Sequence, residues 1–150
     1  MELTYLGNKE LMTLPKTAFL ASSTISPEMV LPCYDWAQRV CKEGRCVISG
    51  FSSHLEAQVL QILIKGSQPI IMVLARRMLR VIPEEFKPLL ENGRLLIISI
   101  SDAVRQSKLT APVRNQFVCE QADDKLMVGV TESSSLATLK RDYKEKLLTI

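Results

Sequence analysis

Five apolar runs, near residues 17–22, 45–49, 69–75, 94–100 and 125–130, alternate with longer segments of helical character, and this alternation restricts the fold more than any other feature. Pro69 through Ala75 is apolar without interruption, the pattern of a strand buried on both faces of a parallel sheet. The intervening segments carry helix signals. Ser26 is placed as an N-cap with Pro27 at the first helical position. Met29, Val30, Cys33, Trp36, Ala37, Val40 and Cys41 then recur at helical spacing to about Lys42, and Gly44 fits the C-cap. Ser52 or Ser53 caps a second helix that runs to Lys65 and stops at Gly66. A third starts at Pro83-Glu84-Glu85 and ends before Gly93, a fourth spans 111–122, and a last one runs from Ser133 through Lys146. Residues 1–16 read as a lead-in helix or loop. Strands and helices in this order predict a three-layer α/β fold, a parallel sheet of about five strands with helices on both faces. Right-handed crossovers then gather every strand's carboxyl end on one rim.

The length of 150 residues suits one domain, residues 1–150, able to bury roughly 68–70% of its unfolded surface without a metal or disulfide staple. The net charge of +3 permits a polyanionic partner without demanding one. Cys33, Cys41, Cys46 and Cys119 form no Cys-x-x-Cys pair, and the single histidine, His54, has no second ligand near it. Buried reduced thiols are therefore expected, with no metal and no cofactor. No basic flank precedes an apolar core at the N-terminus, and no apolar run reaches 18 residues, so a cytoplasmic location without membrane contact is expected.

The expected rim is rich in hydroxyls: Ser22 and Ser23, then Ser49, Ser52 and Ser53 around Gly50 and Phe51, then Ser133, Ser134 and Ser135. Such residues serve as helix caps, and the same turns can hold phosphate on hydroxyls and amides. Before the fifth strand stand Pro112, Arg114, Asn115 and Gln116. An arginine there can grip a phosphate and an asparagine a base edge, or both can be structural groups of a surface helix. Together with Tyr5, Gly7, Asn8 and Leu11, the run Thr17–Ser23, and Val47-Ile48-Ser49-Gly50, these positions resemble the DNA-processing protein A (DprA/Smf) family. That family has a Tyr-x-Gly-Asn lead-in, a first strand ending Gly-Ser-Arg, a second ending Ser-Gly, then Pro-x-Arg-Asn-Arg and Ser-Gly-Ser-Leu. The resemblance covers nearly the whole chain. It implies a Rossmann-like domain that binds single-stranded DNA in DNA uptake and transformation, with a recombinase partner and room for a homo-oligomer. The implied DNA or phosphate contacts are Ser22, Ser23, Ser49, Gly50, Phe51, Arg114, Asn115, Ser133, Ser134 and Ser135.

The departures from that pattern are specific. Ala21 and Ser23 replace the Gly and Arg of Gly-Ser-Arg, Gln116 replaces the second arginine of Arg-Asn-Arg, and Ser134 replaces the central glycine of Ser-Gly-Ser. Ser53-His54-Leu55-Glu56 stands where Gly-Ile-Asp usually follows the second strand. The family also continues into a further strand and a winged-helix tail, so the resemblance implies a minimal or truncated version. Two cations are missing, which favours a second reading, a sensor of the same fold for a nucleotide derivative. Arg76, Arg77 and Arg80, like Arg105 and Lys108, either border the ligand or form solvated loops. Phe51 either stacks on a base or packs a loop tip. No nucleophile–base–orienter set is present, Glu56 and Glu132 are explained by capping and solvation, and Asp123-Asp124 by a polar turn. The chain is expected not to be an enzyme.

Overall fold

The computed structural model describes residues 2–150. Its strands are β1 (Thr4–Gly7), β2 (Lys16–Ala21), β3 (Cys46–Ser49), β4 (Ile70–Leu74), β5 (Leu95–Ser99) and β6 (Asp124–Val128). The helices are α1 (Val30–Glu43), α2 (His54–Ile64), α3 (Lys87–Glu91), α4 (Thr110–Gln121) and α5 (Ala137–Asp142). The five expected strands are β2 to β6, and they pair in parallel, in the order β5-β4-β3-β2-β6. A sixth, β1, adds to the β5 edge antiparallel, Thr4 facing Ser99 and Gly7 facing Leu96. The lead-in is thus part of the sheet, followed by one 3-10 turn, Lys9–Thr13. A four-residue edge strand with mostly exposed side chains has no buried alternation to betray it.

The two faces of the sheet have separate cores. Phe19, Val47, Ile70, Met72 and Ile97 meet Trp36 and Ala37 of α1, Val59 and Leu63 of α2 and Leu89 of α3. Phe19 stacks on Trp36 with ring centroids 5.2 Å apart. Leu20, Ile48, Ile71, Val73 and Ile98 meet Phe117 and Val118 of α4 and Leu139 of α5. Consecutive residues of β2 to β6 face opposite cores and, apart from polar residues at the strand ends of β2, β3, β5 and β6, are apolar, hence the runs in the sequence.

Local signals act where expected at the end of α1, which stops at Gly44, and at α2, capped by Ser53. At the start of α1 they do not, since the Ser26 side chain makes no capping bond and Pro27 opens a 3-10 turn, Pro27–Met29, ahead of the helix. The last helix differs. Ser133–Ser135 form a turn, and α5 covers only Ala137–Asp142. The Ser134 hydroxyl accepts from the Leu136 amide at 3.2 Å, and the Thr131 and Ser133 hydroxyls pair at 3.1 Å. Such local bonds compete with the helix and delay its start.

At the opposite, amino-terminal edge of the sheet Asp123 and Asp124 are not a free polar turn. Asp124 accepts from Thr17 Oγ1 and from Arg45 Nη2 at 3.2 Å, and Arg45 Nε donates to Thr17 Oγ1. Asp123 accepts from the Lys16 amide at 2.8 Å, which holds its carboxyl below the usual range. A carboxyl lowered by folding contributes stability that is complete above its unfolded value, near 4, and fades as pH falls through the lowered one. Asp123→Asn is therefore expected to remove part of the acid-induced loss of stability below about pH 4, measured as urea midpoints against pH, with little change in slope above pH 5.

Candidate nucleic-acid interface

From β2 the chain moves outward through β3, β4 and β5, then returns to place β6 on the other side of β2. The strand order reverses between β2 and β6, and their carboxyl ends diverge into a crevice of the kind in which α/β sheets bind ligands. A cavity of about 540 Å³ occupies that place, lined by Ser22, Ser23, Thr24, Ser26, Gly129, Thr131, Ser133, Ser134 and Ser135. The sheet ladder reaches its floor, since the Ser22 amide donates to Val128 O at 3.0 Å. Above it the Ser22 and Ser134 hydroxyls lie 2.8 Å apart. Gly129 takes φ +70°, and a Cβ there would overlap Ile25. Every lining side chain that reaches this crevice is a hydroxyl, and none is charged.

Ser135 also lines a second, larger groove of about 780 Å³, with Gln106, Lys108, Ala111, Pro112, Asn115, Gln116 and Leu139. The two cavities thus run on from the β2/β6 crevice along α4. Asn115 is half-buried, and Gln116 and Lys108 are exposed.

The middle turn, Ser49–Ser53, leaves β3, next to β2, so all three expected turns come from adjacent strands spaced at roughly 4.8 Å. Its donors are already engaged. Glu56, 5% exposed, accepts from the Ser52 and Ser53 amides on Oε1 at 3.0 and 3.3 Å, and from the Ala21 amide on Oε2 at 2.9 Å. The Ser53 hydroxyl accepts in turn from the Glu56 amide, completing a capping box. The Phe51 amide donates to Ser49 Oγ, and the Phe51 ring, 6% exposed, belongs to the core on the α1–α2 face despite a backbone φ of +50°. A carboxylate of the chain itself therefore sits where an anion would meet the start of α2.

Arg114 is 3% exposed. Its Nε donates to Asn115 Oδ1 at 2.8 Å, Nη1 to Gln106 Oε1 and Val73 O at 3.3 and 3.4 Å, and Nη2 to Ser52 Oγ at 3.0 Å. A Cβ on Gly50 would overlap the guanidinium, so the glycine lets the turn lie on it. Burial lowers the Arg114 pKa while the Glu56 carboxylate opposes that shift. The role of Glu56 was hidden in the sequence. Ser53-x-x-Glu56 is a readable capping box, but the reach to Ala21, 35 residues away, is not local.

Arg76 and Arg77 follow β4, two strands from the crevice. Arg77 lines a separate cavity of about 410 Å³ with Ser101 and Asp102, while Arg80 and Arg105 are exposed. The thiols are free, and burial pushes Cys33 and Cys119 up to about 11 and Cys46 to about 12, which keeps them protonated at neutral pH. Among the described residues no cluster of three metal-ligating side chains occurs, and no helix is long and apolar enough to cross a membrane.

The network gives a direct expectation. Glu56→Ala leaves three amides without their acceptor and removes the carboxylate whose charge offsets the burial of the Arg114 guanidinium, and a loss of about 3–5 kcal/mol is expected in denaturant unfolding. Arg114→Ala should cost a comparable amount, and the double variant clearly less than the sum, since each single change strands the other's charge.

No family model and no curated protein sequence matches the chain. Solved structures do. DNA processing protein A from Helicobacter pylori, described for its single-stranded DNA binding mode, superposes with a TM-score of 0.74 at 20% identity, over 97% of this chain and 69% of that one. The protein of the same name from Streptococcus pneumoniae gives 0.74 and 20%, over 95% of this chain and 52% of that one. This chain thus spans about two thirds of the one relative and half of the other. A molybdenum cofactor binding protein from Rippkaea orientalis gives 0.56 at 15% identity, over 87% of this chain and 73% of that one. The order of strands, the two helical layers and these superpositions agree: the chain has the Rossmann-like fold of the DNA processing protein A structures.

Proposed function

We propose that this chain is a single Rossmann-like domain that binds single-stranded DNA along the β2/β6 crevice and the groove on α4, as a non-catalytic DNA-processing protein of the DprA type. The observation that carries this reading is the joining of the Ser22–Ser23 and Ser133–Ser135 turns at the strand-order reversal, where Ser22 and Ser134 meet and Ser135 leads into the larger groove. Backbone phosphate sits among the hydroxyls of Ser22, Ser23 and Ser133–Ser135, and bases lie over Asn115 and Gln116. Arg114 acts from beneath. Its Nε fixes the Asn115 amide and its Nη2 holds the Ser52 turn, while Ser49, Gly50 and Phe51 line neither cavity and serve as support beneath. Lys108 supplies the cation of the groove. The single-stranded DNA described for the Helicobacter relative supports the same reading. A recombinase partner and a homo-oligomer belong to it as extensions.

The uncharged lining of the crevice favours a second reading, a small nucleotide-like ligand, and the fold shared with a molybdenum cofactor binding protein supports it. Titrating an oligo-dT and thymidine mononucleotides at two salt concentrations separates the two. Binding of the oligomer that weakens with salt supports the first, and mononucleotide binding without oligomer binding replaces it with the second. Lys108→Ala is expected to lower the log–log salt slope for oligo-dT by about 0.7, the value of one phosphate contact on a single strand. Ser134→Phe, which fills the crevice, is expected to abolish binding while costing about 1–2 kcal/mol in unfolding, the loss of its hydroxyl's bonds to Ser22 and the Leu136 amide.

A further inference from the structure

We propose that the crevice selects a singly charged phosphodiester over a doubly charged phosphomonoester, and that Glu56 sets this selection. The inference rests on the nucleic-acid reading above. Its first support is the lining, nine residues without one cation to neutralise a second negative charge. Glu132, exposed between the lining residues Thr131 and Ser133, adds a negative charge to the same loop.

The second support is the direction of the buried pair. The Glu56 carboxylate bonds the Ala21 amide at the end of β2, one residue before Ser22. The Arg114 guanidinium reaches Val73 O on β4, two strands farther along the sheet. Its other bonds go to Ser52, Gln106 and Asn115, so of the two charges only the carboxylate bonds the backbone of β2, whose next residue, Ser22, lines the crevice. Glu56 also occupies the Ser52 and Ser53 amides, so these two donors are closed to a second phosphate oxygen. A phosphodiester carries one charge at every pH of interest, whereas a monoester loses its second proton near pH 6. A second charge brought close to a carboxylate in a partly desolvated site weakens binding by roughly tenfold.

The test is competition against a labelled oligo-dT lacking terminal phosphates, with thymidine 3′,5′-cyclic monophosphate and thymidine 5′-monophosphate as competitors at pH 7.5 and pH 5. These share base and sugar and differ in phosphate charge. At pH 7.5 the cyclic diester is expected to compete roughly tenfold better, and at pH 5, where the monoester is mostly singly charged, the two should approach equality. The ratio of the two competitors at each pH is the readout, since any change in the protein common to both ligands cancels in it. Glu56→Gln keeps one acceptor oxygen, enough for the Ser52 and Ser53 amides but not for Ala21 as well, and is expected to narrow the gap at pH 7.5. A folded variant that keeps the full gap overturns the role of Glu56, and should Glu56→Gln fail to fold, Glu56→Asp, which draws the carboxylate back from Ala21, takes its place with the same two outcomes. Oligo-dT bound with the monoester competing as well as the diester at pH 7.5 overturns the charge selection and leaves the nucleic-acid reading standing. Oligo-dT not bound at all overturns both.

Discussion

The buried contact between Glu56 and the end of β2 is the constraint on which the rest of the site depends. One carboxylate accepts from the Ala21 amide, the Ser52 amide and the Ser53 amide, and so joins a strand end, a turn and a helix start. Arg114 answers it from α4 and locks the Gly50 turn from the other face of the sheet. A charge this deeply buried is tolerated only with its partners in place, so the two helical layers are held in one register at the rim. The geometry of the crevice follows, because Ser22 is fixed by its neighbour Ala21 on one side and by Val128 O on the other.

This arrangement changes how the rim can treat an anion. In many α/β proteins the amides at a helix start are offered to phosphate. Here the Ser52, Ser53 and Glu56 amides are taken internally, and α1 begins only after the 3-10 turn at Pro27–Met29, several residues beyond Ser23. What remains for a ligand is a set of hydroxyls between β2 and β6, with Lys108 and the Asn115–Gln116 edge along α4. On the proposed reading such a surface would position a phosphate chain more than attract one, and affinity would come from the length of the groove.

The parallel strands were legible because burial on both faces leaves apolar runs, and α1 and α2 because Gly44 and Ser53 are local signals. The family motifs located the three turns in the right order. What could not be read depends on contacts distant in sequence. Nothing near Arg114 announces that Val73 and Ser52 will receive its donors, and nothing in Thr4–Gly7 announces the edge of β5. Asp123 and Asp124 look like a turn until Lys16, Thr17 and Arg45 are brought to them. Ser133–Ser135 look like a helix start, and their own hydroxyl bonds make them a turn.

The central claim is that a nucleic-acid strand lies in the crevice at the strand-order reversal and continues along α4. Backbone amide chemical shifts recorded while oligo-dT is added test it most directly. The account predicts that Ser22, Ser23, Ser133, Ser134, Ser135, Asn115 and Gln116 shift together and saturate with one affinity, while Lys125 and Tyr143, at the amino-terminal end of β6, stay in place. Shifts confined to the cavity of Lys125, Arg141, Lys144 and Lys146, with the serine turns unmoved, would contradict it.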